Sequence, residues 1–152
     1  MSGRFDEFVE RLNRLKSDTS PKWGRMTAQH MVEHLIDAVK MSDGKYIVTC
    51  YSHPDRLPTL KKILMSDRPL PRNFINPLLA SDELPELEFN SLETAKKKFS
   101  EELDEFYVYY EKNPDSISTN AIFGDLNKME WEQFHQKHFT HHFYQFGLLD
   151  DD

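Results

Sequence analysis

The sequence predicts an all-α fold, a four-helix bundle with a long proline-rich crossover. Three observations predict it. Four segments of the 152-residue chain carry apolar side chains at helical spacing. Capping and stop signals bracket three of those segments. The stretch between residues 45 and 90 holds Pro54, Pro58, Pro69, Pro71, Pro77 and Pro85, with only short apolar runs between them. The length fits one domain, residues 1–149, followed by the acidic tail 150–152.

Phe5, Phe8, Val9, Leu12 and Leu15 recur at helical spacing, so residues 4–17 read as a first helix. Ser17-Asp18-Thr19-Ser20-Pro21 is a loop by composition. Thr27 is the expected N-cap of a second helix that carries Met31, His34, Leu35, Ala38 and Met41 and stops at Ser42-Asp43-Gly44. Within the crossover, Leu57–Met65 has the pattern of a short helix, and Ser52-His53-Pro54 that of an exposed turn. The stripe Leu92, Ala95, Phe99, Leu103, Phe106, Tyr110 places a third bundle helix over Ser91–Lys112, and Asn113-Pro114 ends it. Ile122–Leu126 reads as a turn. Asn127 and Glu130 then have the spacing of a capping box for the last helix, which runs to Phe146 with Gly147 as its C′ residue.

A formal net charge of -7 and a pI near 5.5 count against non-specific nucleic-acid binding and against an anionic membrane surface, both of which need a basic face. The one cysteine, Cys50, excludes an intramolecular disulfide and a cysteine-rich zinc site. It reads as a half-buried small residue in the strand-like run Tyr46–Tyr51. The N-terminal MSGRFDEFVERL lacks the apolar region of a secretory signal, and no apolar run approaches the length of a membrane span. A soluble cytoplasmic protein is expected.

Four of the seven histidines, His135, His138, His141 and His142, lie within eight residues. On a helix turning by about 100° per residue, with His135 at zero, His138 falls near about 300° and His142 near about 340°, flanked by Trp131 and Phe146 on the core side. His141 falls near about 240°, toward solvent or a neighbour. An i, i+4 histidine pair on one helix face can place two imidazoles on a single ion. His34, among Met31, Ala38 and Met41, is the leading third ligand. Three neutral imidazoles would leave an open position, as catalytic zinc sites do. His30 forms its own i, i+4 pair with His34. A fourth protein ligand from His30, Asp37 or His135 would instead make the site structural. Taken alone, an inward histidine is more often a hydrogen-bonded core residue than a ligand.

The stretch Trp23-Gly24-Arg25-Met26, leading to His30 and His34, together with Phe123-Gly124-Asp125-Leu126 and His138-Phe139-Thr140-His141-His142-Phe143-Tyr144-Gln145-Phe146-Gly147, resembles the DinB/YfiT-like superfamily. It is most similar to a DinB-like branch with W-G-x-M and H-x-x-H-H-x-x-Q-F motifs, which lie at both ends of the chain. The resemblance implies a DinB-like four-helix bundle with one divalent metal, zinc or nickel, held by His34, His138 and His142, and a homodimer. It makes His141 the non-ligand member of the double histidine. One departure stands out: the branch's His-Pro dipeptide before the F-G-x-L turn is replaced by Asn120-Ala121.

Two classes of function follow. In the first, the chain is a metal-dependent enzyme that activates a low-molecular-weight thiol for S-transfer to a small-molecule electrophile, or water for hydrolysis. The expected pocket is then roofed by segment 54–85 and lined by Trp23 and Trp131. In the second, it is a non-catalytic metal-binding or protein-interaction module. No general base and no phosphate-binding glycine loop is evident among the five glycines.

Overall fold

The computed structural model describes residues 3–71 and 84–149. It is mostly helical. Helix α1 spans Asp6–Arg11, α2 Ala28–Ser42, α3 Leu57–Met65, α4 Leu92–Lys112 and α5 Lys128–Gln145; strands β1, Ser118–Asn120, and β2, Gly124–Leu126, lie between α4 and α5. Helix α2 packs against both α4 and α5, α1 against α4, and α3 against α5.

The first helix is shorter than the expected 4–17. Phe5 is its N-cap, and after Arg11 the chain tightens into a 3₁₀ turn over Leu12–Arg14. Leu12 and Leu15 are both buried and sit three residues apart. A 3₁₀ turn eclipses i and i+3, so it aims both at the core where an α-turn would splay them. The strand-like run Tyr46–Tyr51 is not a strand either. Tyr46 N–H donates back to Lys40 O at 3.0 Å and Tyr51 N–H to Ala121 O at 2.8 Å, single bonds at the two ends of the run rather than a ladder, and Ile47 between them is 94% exposed. Cys50 is half-buried, as expected.

Among the described residues, the expected turn at 122–126 is the one departure from an all-α fold. It is a small antiparallel hairpin with Ser118 opposite Leu126, Thr119 opposite Asp125 and Asn120 opposite Gly124. Asn120 Oδ1 accepts from Ile122 N–H and Phe123 N–H at 2.9 and 3.0 Å, an Asx turn that reverses the chain. Asn120 stands where a His-Pro dipeptide was expected.

Helices α2, α4 and α5 start where side chains satisfy the free backbone N–H groups. Thr27 accepts from His30 N–H at the start of α2, and Ser91 from Thr94 N–H at the start of α4. At α5, Asn127 Oδ1 accepts from Glu130 N–H while Glu130 Oε1 accepts from Asn127 N–H. That reciprocal capping box satisfies two orphan donors. Gly147, at φ 72°, reverses the chain after α5.

The core is rich in aromatic rings. Phe139 meets Phe5, Phe8 and Phe99 edge-on at 5.2, 5.4 and 5.2 Å, so one α5 side chain ties α1, α4 and α5 together. Buried polar groups tie down the connections. Glu33 on α2 accepts from the backbone of Glu88 and Phe89 at 2.7 and 3.2 Å, pinning the end of the crossover. Lys137 and Gln133 on α5 donate to carbonyls at the end of α3, Ile63 at 2.8 Å and Leu64 at 3.1 Å. Residues 72–83 of the crossover, with Pro77, and the acidic tail 150–152 lie outside the described residues.

Loss of the capping box should be measurable. Asn127→Ala is expected to lower the unfolding free energy by about 1 kcal/mol in urea titrations. Met129→Ala, two residues on at a 61% exposed position, should stay within about 0.5 kcal/mol of the parent protein.

Candidate metal centre

His34 sits midway along α2, and His138 and His142 are one turn apart on α5. Their side chains meet where the two helices pack. The three rings sit in a near-equilateral triangle, with centroids 4.7, 4.9 and 4.8 Å apart and planes 77–80° to one another. They meet by their edges rather than their faces, so it is the nitrogens that converge. His138 Nε2 lies 2.9 Å from His34 Nε2 and 3.2 Å from His142 Nε2. All three ligand atoms fall within 4.8 Å of one another.

The donor set fits a divalent ion. A tetrahedral zinc with Zn–N near about 2.0–2.1 Å separates its nitrogens by about 3.3 Å, close to the spacings between His138 and its two neighbours. The protonation states fit as well. Burial pushes the His34 imidazole down to about 4, with neighbouring His141 adding to the shift. Burial, and then the other imidazoles, also push His138 and His142 well below the usual histidine range. The rings are therefore neutral at neutral pH, as ligands must be. A shared proton can bridge two converging nitrogens but not three, whereas an ion can accept all three lone pairs. His142 Nδ1 also bonds Gln145 Oε1 at 2.7 Å, the outer hydrogen bond that metal-bound imidazoles usually have. His138 Nδ1 is buried without such a partner.

The other candidates lie elsewhere. His30 uses both ring nitrogens, with Nδ1 2.6 Å from Thr27 Oγ1 and Nε2 2.9 Å from Pro85 O, and it fastens the crossover to α2. Asp37 is outside the three-histidine group; burial raises its carboxyl to about 6. His135 faces Ser42, with Nε2 2.9 Å from Ser42 Oγ, and stacks on Phe139 at 5.3 Å. Ser42 Oγ–H donates to Val39 O, so His135 Nε2 carries the proton and Nδ1 is left as a buried acceptor without a partner. His141 stands edge-on to Trp23 at 5.5 Å and to His142 at 4.9 Å, beside the triangle rather than in it.

A cavity of about 590 Å³ runs along the flank of α5. Trp23 and Ser66–Leu70 line it, as expected for a pocket partly roofed by the crossover, together with Lys137, His141 and Tyr144. The three ligand candidates are not among its lining residues. Trp131 is not either: it is buried in the core, and its indole N–H donates to Ser118 O at 3.1 Å.

Sequence reasoning placed Gln145 in the H-x-x-H-H-x-x-Q-F motif and Ser42 at a helix stop, but gave neither a role toward a histidine. The signal for Gln145 was its spacing, three residues after His142 on one helix, which makes the two side chains neighbours. Ser42 left no such signal, because its partner is 93 residues away.

Among the described residues, no helix is long and apolar enough to cross a membrane. Comparison with protein-family models, curated proteins and solved structures finds no match.

Buried neutral imidazoles make the metal-free fold acid-sensitive. Burial lowers His135 to about 3, below its value of about 6.5 in the unfolded chain. Its contribution is therefore fully present above pH 6.5 and is lost as pH falls toward 3, because the unfolded chain takes up the proton first. By pH 5 the loss from this one ring should be about 2 kcal/mol, at about 1.4 kcal/mol per unit. Urea titrations of chelated protein at pH 7 and pH 5 test this. The parent protein should lose more stability between them than His135→Gln, by about that amount.

Proposed function

We propose that the chain binds one divalent metal ion, zinc or nickel, through His34, His138 and His142, and that it is a metal-dependent enzyme using a low-molecular-weight thiol. The observation that carries the metal is the convergence of the Nε2 atoms of His34, His138 and His142 where α2 packs on α5. The packing of α2 against α4 and α5, and of α1 against α4, supports a helical bundle with α3 on the crossover; its DinB-like four-helix topology and its extent over residues 1–149 rest on the resemblance. The thiol chemistry, a homodimer and a cytoplasmic location rest on the resemblance, the single cysteine and the acidic charge.

A bound divalent ion with three imidazole ligands would supply Lewis acidity, lowering the pKa of a coordinated thiol or water. The chain's own residues define what surrounds it. Burial holds the imidazoles neutral, Phe134 packs on the His138 ring at 5.0 Å and excludes water from that side, and Gln145 fixes the His142 ring. His34 is half-buried, whereas His138 and His142 are buried. A non-catalytic metal module is favoured by one observation: the ligand histidines do not line the cavity beside α5.

Elemental analysis of untagged protein, purified without a nickel column, should return one divalent ion per chain. His34→Ala, His138→Ala and His142→Ala should each abolish stoichiometric binding, and His141→Ala should keep most of it. Metal loss in His141→Ala with retention in His142→Ala would contradict the assignment. For the chemistry, cobalt-substituted protein should change its visible spectrum when glutathione is added. A spectrum indifferent to glutathione and to bacillithiol would leave the non-catalytic module as the better account.

A further inference from the structure

Gln145 is buried at the last turn of α5, and its amide spans two partners. Its Nε2 donates to the backbone carbonyl of Trp23 at 2.8 Å, 122 positions away in sequence. Its Oε1 faces His142 Nδ1 at 2.7 Å. A backbone carbonyl can only accept, so the amide NH₂ must point toward Trp23 and the amide oxygen toward His142. An amide oxygen can also only accept, so His142 Nδ1 must carry the ring proton. The lone pair of His142 is then on Nε2, the atom that faces His138 at 3.2 Å.

The Trp23–Gly24 turn leaves little freedom in this chain of bonds. Gly24 has φ +83°, and a Cβ there would stand 2.8 Å from Gln145 Nε2. A side chain at this position would both strain the turn and displace the amide from Trp23 O. The backbone is clamped on the other side too, since Lys22 N–H donates to Gln145 O at 2.7 Å.

We propose that Gln145 is a positioning residue and that the Trp23–Gly24 turn, acting through it, fixes His142 in the tautomer with Nε2 free, so that a loop before α2 sets the metal affinity of the α2–α5 cluster. The affinity part rests on the metal reading; the tautomer part does not.

The test has two readouts. The first is the two-bond nitrogen–proton correlation spectrum of the histidine rings in metal-free protein at neutral pH. His142 should show the Nδ1–H form in the parent protein and shift toward the Nε2–H form in Gln145→Met and in Gly24→Ala. Gln145→Glu, which keeps an acceptor for Nδ1–H, should restore the parent tautomer. The second readout is cobalt affinity, which should fall about 10–100-fold in Gln145→Met and Gly24→Ala, as for other lost outer-sphere partners, and recover in Gln145→Glu. Gly24→Ala carries the test alone if Gln145→Met does not fold. An Nε2–H form of His142 in the parent protein overturns the proposal, and so does an unchanged tautomer in folded Gln145→Met or Gly24→Ala. If the parent protein takes up no cobalt, the metal reading fails and the tautomer spectra alone decide the relay.

Discussion

Burying three imidazoles edge to edge between α2 and α5 is the constraint on which the rest of the structure turns. A lone imidazole can be satisfied by ordinary hydrogen bonds, as the half-buried His30 is by Thr27 and Pro85. The triangle of His34, His138 and His142 is different, because its three Nε2 atoms point at each other. Burial disfavours charging them, and any of these nitrogens that carries a lone pair rather than a proton crowds it against its neighbours. A cation that needs no proton resolves that conflict, which is why the cluster reads as a binding centre rather than as core.

The surrounding fold acts to keep those rings in place. Helix α2 is held by a side-chain cap at Thr27, by Glu33 gripping Glu88 and Phe89, and by Tyr110 O–H donating to Ser42 O at 2.6 Å. Helix α5 is held by its capping box at one end and by Gln145 and Lys22 at the other. Between those ends, His135 stacks on Phe139, which in turn touches α1 and α4. The same aromatic packing that excludes water from the core sets the register of α5, and that register decides that His138 and His142, rather than His141, face α2.

Much of this was legible in the chain. A period of 3.6 carries through α4 without a break, so its stripe from Leu92 to Tyr110 is buried as the pattern implied. The caps at Thr27 and Asn127 are local devices, written within four residues, and were readable for that reason; Ser91, read as the first helical residue, caps α4 instead. The inward register of His138 and His142 followed from the same periodicity. What escaped was non-local. The hairpin around Asn120 is held by pairing between two strands of three residues, too short to show alternation. The early end of α1 is set by what Leu12 and Leu15 must reach in the core. The contact of Trp23 with Gln145 joins opposite ends of the chain, and no spacing rule announces it. The resemblance to DinB-like proteins named the three ligand positions; the geometry supports them as a group without showing what they bind.

X-ray absorption at the metal edge of zinc-loaded protein tests the central claim most directly. The account predicts a shell of nitrogen and oxygen scatterers near about 2.0–2.1 Å with the outer-shell pattern of three imidazoles and no sulfur from the chain. A spectrum without imidazole scattering, or one dominated by carboxylate oxygens, would contradict it.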